Sequence, residues 1–255
     1  MKVLITGTNG YIGKHLSQVS PYDVTCVNRG VCDLVNTQEV DDFFDGKHFD
    51  VVIHCAVVGG SRLYKDDDNI FYNNIQMFLN LVRNRNHFDR LIHLGSGAQR
   101  TDDGNYGFSK RIISNMIKEL DDFYNIIIYG LFDENEIETR FIKSCINKCM
   151  NNKPIDVYET KTMGFFHMND LTSVVNHYID EYIPPKTIDC SYNLQMSLLD
   201  IAEQIREMCG SDVDINYTPS VEKEYIGKNT EYLNRIISGN FMDRLKENVN
   251  KVMGI

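Results

Sequence analysis

The chain has no apolar run approaching the roughly 20 residues needed to cross a bilayer, which excludes a transmembrane helix. It has no charged opening followed by a long apolar stretch and a small-residue cleavage site. Instead MKVLITG reads as a strand running into glycine. It has no Cys-x-x-Cys pair. Its seven cysteines, at 26, 32, 55, 145, 149, 190 and 209, are an odd number without metal-site spacing. These absences predict free thiols, no bound metal and a cytoplasmic location. Cys145 and Cys149 lie one helical turn apart with no further ligand nearby, so they read as a helix face. Positive charge is also short: 26 Lys+Arg against 36 Asp+Glu leaves −10. Nucleic acid and anionic membrane are thereby disfavoured as partners, whereas a small anion held by local dipoles is not. Repeats, low-complexity tracts and obvious linkers are missing as well. What remains is 255 residues, 42% of them apolar, enough for one large domain with a small lobe.

The organisation is strand, helix, strand, helix. KVLIT runs into GTNGYIG, and a helix continues from there. A glycine-rich turn between a first strand and a first helix lets backbone approach a pyrophosphate, with helix N–H groups to hold it. Gly7, Asn9, Gly10, Tyr11, Ile12 and Gly13 are therefore candidate cofactor-binding residues. The second strand, YDVTCVN, ends at Asn28-Arg29-Gly30. An acidic residue there would accept from the adenosine ribose of NAD, whereas arginine suits the 2′-phosphate of NADP. Asn28 and Arg29 favour NADP(H), with NAD(H) the alternative; Asp33 and Leu34 are placed to flank the adenine. The helix TQEVDDFF, the strand FDVVIHCA, a helix over 69–84, the strand DRLIHLGS and the strand YNIIIYGLF follow. Alternation of this kind predicts an α/β fold, a doubly wound parallel Rossmann-type sheet. The last third changes character. FFHMNDL suggests a turn capped by Asn169 or Asp170. SLLDIAEQIREMCG reads as a helix with a serine cap and Gly210 at its end. The expected domains are 1–153, with about 165–195 returning to it, and a small C-terminal α/β lobe over 154–255.

The stretch from His93 to Lys110 carries the chemistry. Ser96 ends an apolar run, and Tyr106 and Lys110 are four apart at the head of a segment with helical apolar spacing. A tyrosine ionises near pH ~10, and a lysine one turn away lowers that value. Such a pair, with a serine hydroxyl on the same oxygen, moves a proton on or off an alcohol while a hydride leaves or joins its carbon. The spacing recurs at Tyr182 and Lys186, but Pro184 and Pro185 forbid a helix there. Taken alone, the first copy is equally an amphipathic surface helix.

With GTNGYIG, Ser96 and YGFSK together, the chain resembles the NAD(P)-dependent epimerase/dehydratase family, the extended short-chain dehydrogenases, over nearly its whole length. VIHCAVVGG resembles the family's third-strand segment in its fucose-synthase form. FFHMNDL and SYNLQMSLLDIAEQI resemble its later segments. The resemblance implies Tyr106 as acid/base, Lys110 as its tuner and a nicotinamide-ribose ligand, and Ser96 on the reacting oxygen. It implies cofactor contacts at Cys55, Ala56, Val57 and Asn74, and a nucleotide-sugar substrate near Val58, Gly59, Gly60, Tyr129, Arg140 and His167. It also implies a homodimer through helices 69–84 and 107–120.

The departures narrow the reaction. Gly97-Ala98-Gln99 stand where the family's dehydratases carry an Asp-Glu pair, and Ala98 where its fucose synthases carry a cysteine. No histidine occurs between His93 and His167. Met163 and Ile127 replace arginines that hold substrate phosphate; Arg140 or Lys161 could substitute. Ten positions separate Ser96 from Tyr106, where relatives have a longer loop. The leading expectation is NADP-dependent reduction of a keto group, at C4, of a nucleotide-activated sugar. An NAD-dependent 4-epimerase is the alternative and predicts co-purifying NAD. A non-catalytic cofactor-binding scaffold is the third reading; it predicts that Tyr106→Phe keeps the protein's whole effect.

Overall fold

The computed structural model describes residues 1–60, 67–101 and 104–255. In chain order the elements that build the site are β1 (Lys2–Thr6), α1 (Tyr11–Val19), β2 (Asp23–Val27), α2 (Thr37–Phe44), β3 (Phe49–His54), α3 (Asn69–Arg83), β4 (Phe88–Ser96), α4 (Ala98–Thr101), α5 (Asn105–Lys118) and β5 (Phe123–Ile128). Then follow β6 (Gly130–Phe132), α6 (Phe141–Met150), β7 (Ile155–Val157), β8 (Lys161–Met163), β9 (Phe165–His167), α7 (Met168–Asp180) and β10 (Thr187–Cys190). The chain closes with β11 (Met196–Ser197), α8 (Leu198–Met208), β12 (Ile215–Tyr217), β13 (Lys223–Tyr225) and α9 (Phe241–Met253).

The first compact unit is Met1–Ile127 with Val175–Ile188. The largest sheet has the order β10-β5-β4-β3-β1-β2, and β1 pairs in parallel with both β2 and β3, as β3 does with β4. The strands β1 and β3 are buried runs of Val, Leu and Ile because helices cover both faces of such a sheet. One core packs Phe78 and Leu81 of α3 and Ile113 and Ile117 of α5 against Leu4, Val52 and Leu91. Each such side chain contributes ~1.5–3 kcal/mol on burial. The helix α2 starts where Asn36 accepts from the Gln38 and Glu39 N–H groups. The chain's later return is tied in by Arg90. Its Nη1 donates to Tyr178 O at 2.5 Å and Glu181 O at 2.7 Å, and its Nη2 donates to Tyr182 O at 3.0 Å. Beside it the Asn125 N–H donates to Lys186 O at 3.0 Å.

The second unit is Ile128–Val174 with Asp189–Ile255. Its sheets are small: β11-β8-β13, β12-β7 and β6-β9. The helix α8 begins with a capping box between Ser197 and Asp200, and Gly210 follows its end at φ +59°. Two expectations change. The first unit closes at Ile127 rather than at 153, and its return is Val175–Ile188 rather than 165–195. The run YNIIIYGLF is two strands in different sheets rather than one. At Gly130 a Cβ would lie 2.8 Å from both Met163 Cε and Phe165 Cδ1, so glycine lets β6 lie close against its neighbours.

Candidate active site

The glycine turn closes against the third strand. Gly7 has φ +69°, and a Cβ there would stand 2.7 Å from Ala56 Cα and N. A Cβ on Gly13 would stand 2.4 Å from Gly7 O, so this glycine lets α1 pack on the turn. The helix α1 begins at Gly10 without a side-chain cap and without an acidic residue in its first turn. Its N-terminal end therefore keeps the positive pole suited to phosphate. The cleft beside it has a volume of about 300 Å³ and lies at the carboxyl ends of β1, β2 and β3, where the strand order reverses. In open α/β sheets this is the ligand position. Gly7, Asn9, Gly10, Asn28, Arg29, Asp33, Leu34, Cys55, Ala56 and Val57, all among the residues expected at the cofactor, line it. Val58, expected at the substrate, lines it too, and so do Val27, Cys32 and Met77. Met77 falls one turn after Asn74 on the buried face of α3, a spacing that could have revealed it. Arg29 is 70% exposed at the rim, 4.0 Å from Asp33, and Asn28 Oδ1 accepts from the Gly30 N–H at 2.9 Å. The glycine cradle and the uncapped helix end fit a pyrophosphate.

The residues expected to move the proton lie in the same unit. Tyr106 and Lys110 are on α5, as expected, with the Lys110 Nζ 6.0 Å from the centre of the Tyr106 ring. Lys110 is only 4% exposed, and its Nζ donates to Leu94 O at 2.7 Å. Burial lowers its pKa to about 7, against a small opposing pull from Cys55. Ser96 ends β4, and its Oγ accepts from the Ala98 N–H at 3.2 Å. The proline-broken copy, Tyr182 to Lys186, lies beyond the end of α7 and is not helical. Gly60, expected to meet substrate, faces the tyrosine: a Cβ there would stand 2.7 Å from Tyr106 Cζ. Asn74, expected at the cofactor, is 2% exposed and does not line the cleft. It accepts from the Val58 N–H at 2.8 Å, donates to Val58 O at 3.0 Å and donates to Ser109 Oγ at 3.1 Å. It thus ties the cleft wall to α5. Tyr11, Ile12, Gly13 and Lys110 also stand outside the cleft lining.

Residues 3–191 match the model of the NAD dependent epimerase/dehydratase family. The chain belongs to that family. It is an NAD(P)-dependent enzyme of the oxidoreductase and epimerase kind. Solved structures of the family's type share its fold at low identity. A GDP-mannoheptose C4 reductase from Campylobacter jejuni with NADP bound is 16% identical, with TM-score 0.79 over 99% of this chain and 97% of that one. A dTDP-4-dehydrorhamnose reductase from Bacillus anthracis in complex with NADP is 18% identical, with TM-score 0.80 over 99% and 97%. A UDP-glucose 4-epimerase from Thermotoga maritima with UDP-glucose is 13% identical, with TM-score 0.84 over 100% and 99%. No curated protein matches the chain by sequence.

Of the residues that the family resemblance placed near the sugar, Tyr129, Arg140 and His167 lie in the second unit. Tyr129 is buried, its ring 5.2 Å from that of Tyr225. Arg140 caps α6 and stands 3.9 Å from Glu136. Burial raises the Glu136 carboxyl to about 8. His167 has no exposed surface, and its Nδ1 accepts from the Asn169 N–H at 3.2 Å at the start of α7. The histidine holds that turn, not the side chains of Asn169 or Asp170, because α7 already begins at Met168. Lys161 pairs with Glu159 at 3.5 Å, and Met163 and Ile127 are buried.

Proposed function

We propose that the chain is an NADP-dependent reductase of a keto group, at C4, of a nucleotide-activated sugar. The observation that carries this reading is the pairing of a buried, positively chargeable Lys110 with Tyr106 on one face of α5, without an acid or base at the three positions directly after Ser96. Gly97 and Ala98 carry no proton-transfer group, and Gln99 is turned inward, its Nε2 donating to Ser114 Oγ at 3.1 Å. The bound nicotinamide would supply the hydride. Ser96 would hold the keto oxygen, Tyr106 would hand it a proton, and Lys110 would keep the phenol acidic enough to do so. Asn28 and Arg29 at the cleft rim favour the 2′-phosphate of NADP over NAD.

One observation favours a second reading. Asp33 lines the cleft beside Arg29, and a carboxylate there could accept from unphosphorylated ribose. An NAD-dependent 4-epimerase would use it. We also infer a homodimer through α3 and α5, whose outer faces carry exposed Tyr72, Leu79 and Phe108, with Phe71 stacked on Phe108 at 5.0 Å. All seven cysteines are free, which agrees with a reducing cytoplasm.

The test is to mix the purified protein with NADPH or NADH and a panel of 4-keto-6-deoxy sugar nucleotides, following the nicotinamide absorbance. NADPH is expected to be consumed with at least one of them. The rate should exceed that with NADH by about tenfold and fall ~100-fold or more in Tyr106→Phe. Tightly held NAD in the purified protein, with no NADPH consumption, would favour the epimerase.

A further inference from the structure

Beneath the tyrosine–lysine pair lies a polar patch that the reaction itself does not use. The register of β3 and β4 sets His54 directly beside His93. Both are 1% exposed, and their ring centres are 5.3 Å apart, with Phe78 packed against each ring. His54 Nδ1 lies 3.0 Å from Thr6 Oγ1, which itself accepts from the Ala56 N–H at 3.2 Å. His93 is different. Its Nε2 lies 3.4 Å from Lys110 Nζ, and its Nδ1 has no hydrogen-bond partner among the described residues.

A neutral imidazole has one donor and one acceptor nitrogen. An ammonium offers donors only, so a charged Lys110 requires Nε2 as the acceptor and places the proton on Nδ1. That leaves a buried N–H unpaired, a cost of about one to several hydrogen bonds' worth. An apolar side chain in β4 would fill the same space without that cost. The nitrogen facing Lys110 is what the imidazole adds.

We propose that His93 is a positioning residue for Lys110: its Nε2 accepts from Nζ and keeps the ammonium charged in the buried floor under Tyr106. This rests on the reading of Tyr106 and Lys110 given above. The groups facing Nζ are the Leu94 carbonyl and His93 from β4, His54 and the Cys55 thiol from β3 and its end, and Tyr106 from α5. Among the described residues no carboxylate joins them, so there the charge depends on neutral acceptors. Burial keeps both histidines uncharged, His54 down to about 3 and His93 well below its usual value. They therefore act on the lysine as hydrogen-bonding groups rather than as charges.

The test uses the full chain without cofactor or substrate. The protein is labelled with 13C-lysine, and the Lys110 Cε signal, assigned by its loss in Lys110→Arg, is titrated with pH. In His93→Leu its midpoint is expected to fall by about one pH unit, a tenfold shift in the protonation equilibrium. His93→Gln, which keeps an acceptor, is expected to fall by less. Equal midpoints in all three proteins would overturn the proposal. A second measurement needs no folded variant of β4: 15N-histidine spectra of the unaltered protein read the His93 tautomer. A proton on Nδ1 supports the proposal, and a proton held on Nε2 below the lysine midpoint overturns it. Neither measurement involves turnover, so inactivity toward every sugar nucleotide would count against the proposed function and not against this contact.

Discussion

Replacing Lys110 by methionine should make the cofactor-free protein more stable, by an amount that depends on pH. In the unfolded chain a lysine holds its proton to about pH 10.4. In the fold, burial brings that value to about 7. Between the two the unfolded state binds more protons, so the native protein gains stability as pH rises through that window. Below it the buried ammonium costs about 5 kcal/mol, the shift of roughly 3.5 units at ~1.36 kcal/mol each. At about pH 6.5 that penalty is nearly complete, and by about pH 8.5 it has dropped by about 2 kcal/mol. Methionine escapes it at every pH but leaves the Leu94 carbonyl without its donor, which returns ~1–3 kcal/mol. The absolute gain is therefore modest, whereas its change with pH is not blurred by the lost hydrogen bond. Urea unfolding of both proteins at the two pH values measures it. A difference in unfolding free energy that is the same at both would refute the assignment of Lys110 as a buried, titrating charge.

Two further outcomes follow from the same unit. Gly60→Ala puts a methyl group 2.7 Å from Tyr106 Cζ at a residue with φ +70°. We expect kcat to fall about tenfold or more with the dissociation constant for NADPH little changed, together with a stability loss of ~1–3 kcal/mol. Asn74→Leu removes two hydrogen bonds to Val58 and one to Ser109, leaving the part-buried Val58 N–H and C=O groups without these partners. It should cost about 3 kcal/mol by urea unfolding and weaken dinucleotide binding through the loosened cleft wall, as calorimetry would show.

Much of the site was legible because it depends on local geometry. A strand, three glycines and a helix at the start of the chain place the cleft, and helical spacing brings Tyr106 and Lys110 to one face. What escaped was decided across the sheet. His54 and His93 each sit near the end of an apolar strand, and only the β3–β4 register reveals them as neighbours. The bonds of Asn74 to Val58 and Ser109 span 16 and 35 residues, so no local pattern reveals them. The run through Ile128 and Gly130 has no polar break, so a change of sheet within it leaves no trace in hydropathy. The strands β8, β11 and β13 are two or three residues long, too short for alternation to register.

The clasp of Arg90 on the carbonyls of Tyr178, Glu181 and Tyr182 has a consequence for biosynthesis. The dinucleotide cleft is encoded by roughly the first third of the chain, but the β10 edge that completes its sheet is translated more than a hundred residues later. Until then the nascent chain presents β5, FYNIII, as an open border of unpaired N–H and C=O groups. A ribosome-bound fragment ending near Ile127 is therefore the species most in need of a chaperone, and its guanidinium at residue 90 waits, solvated, for a helix end that has not yet been made.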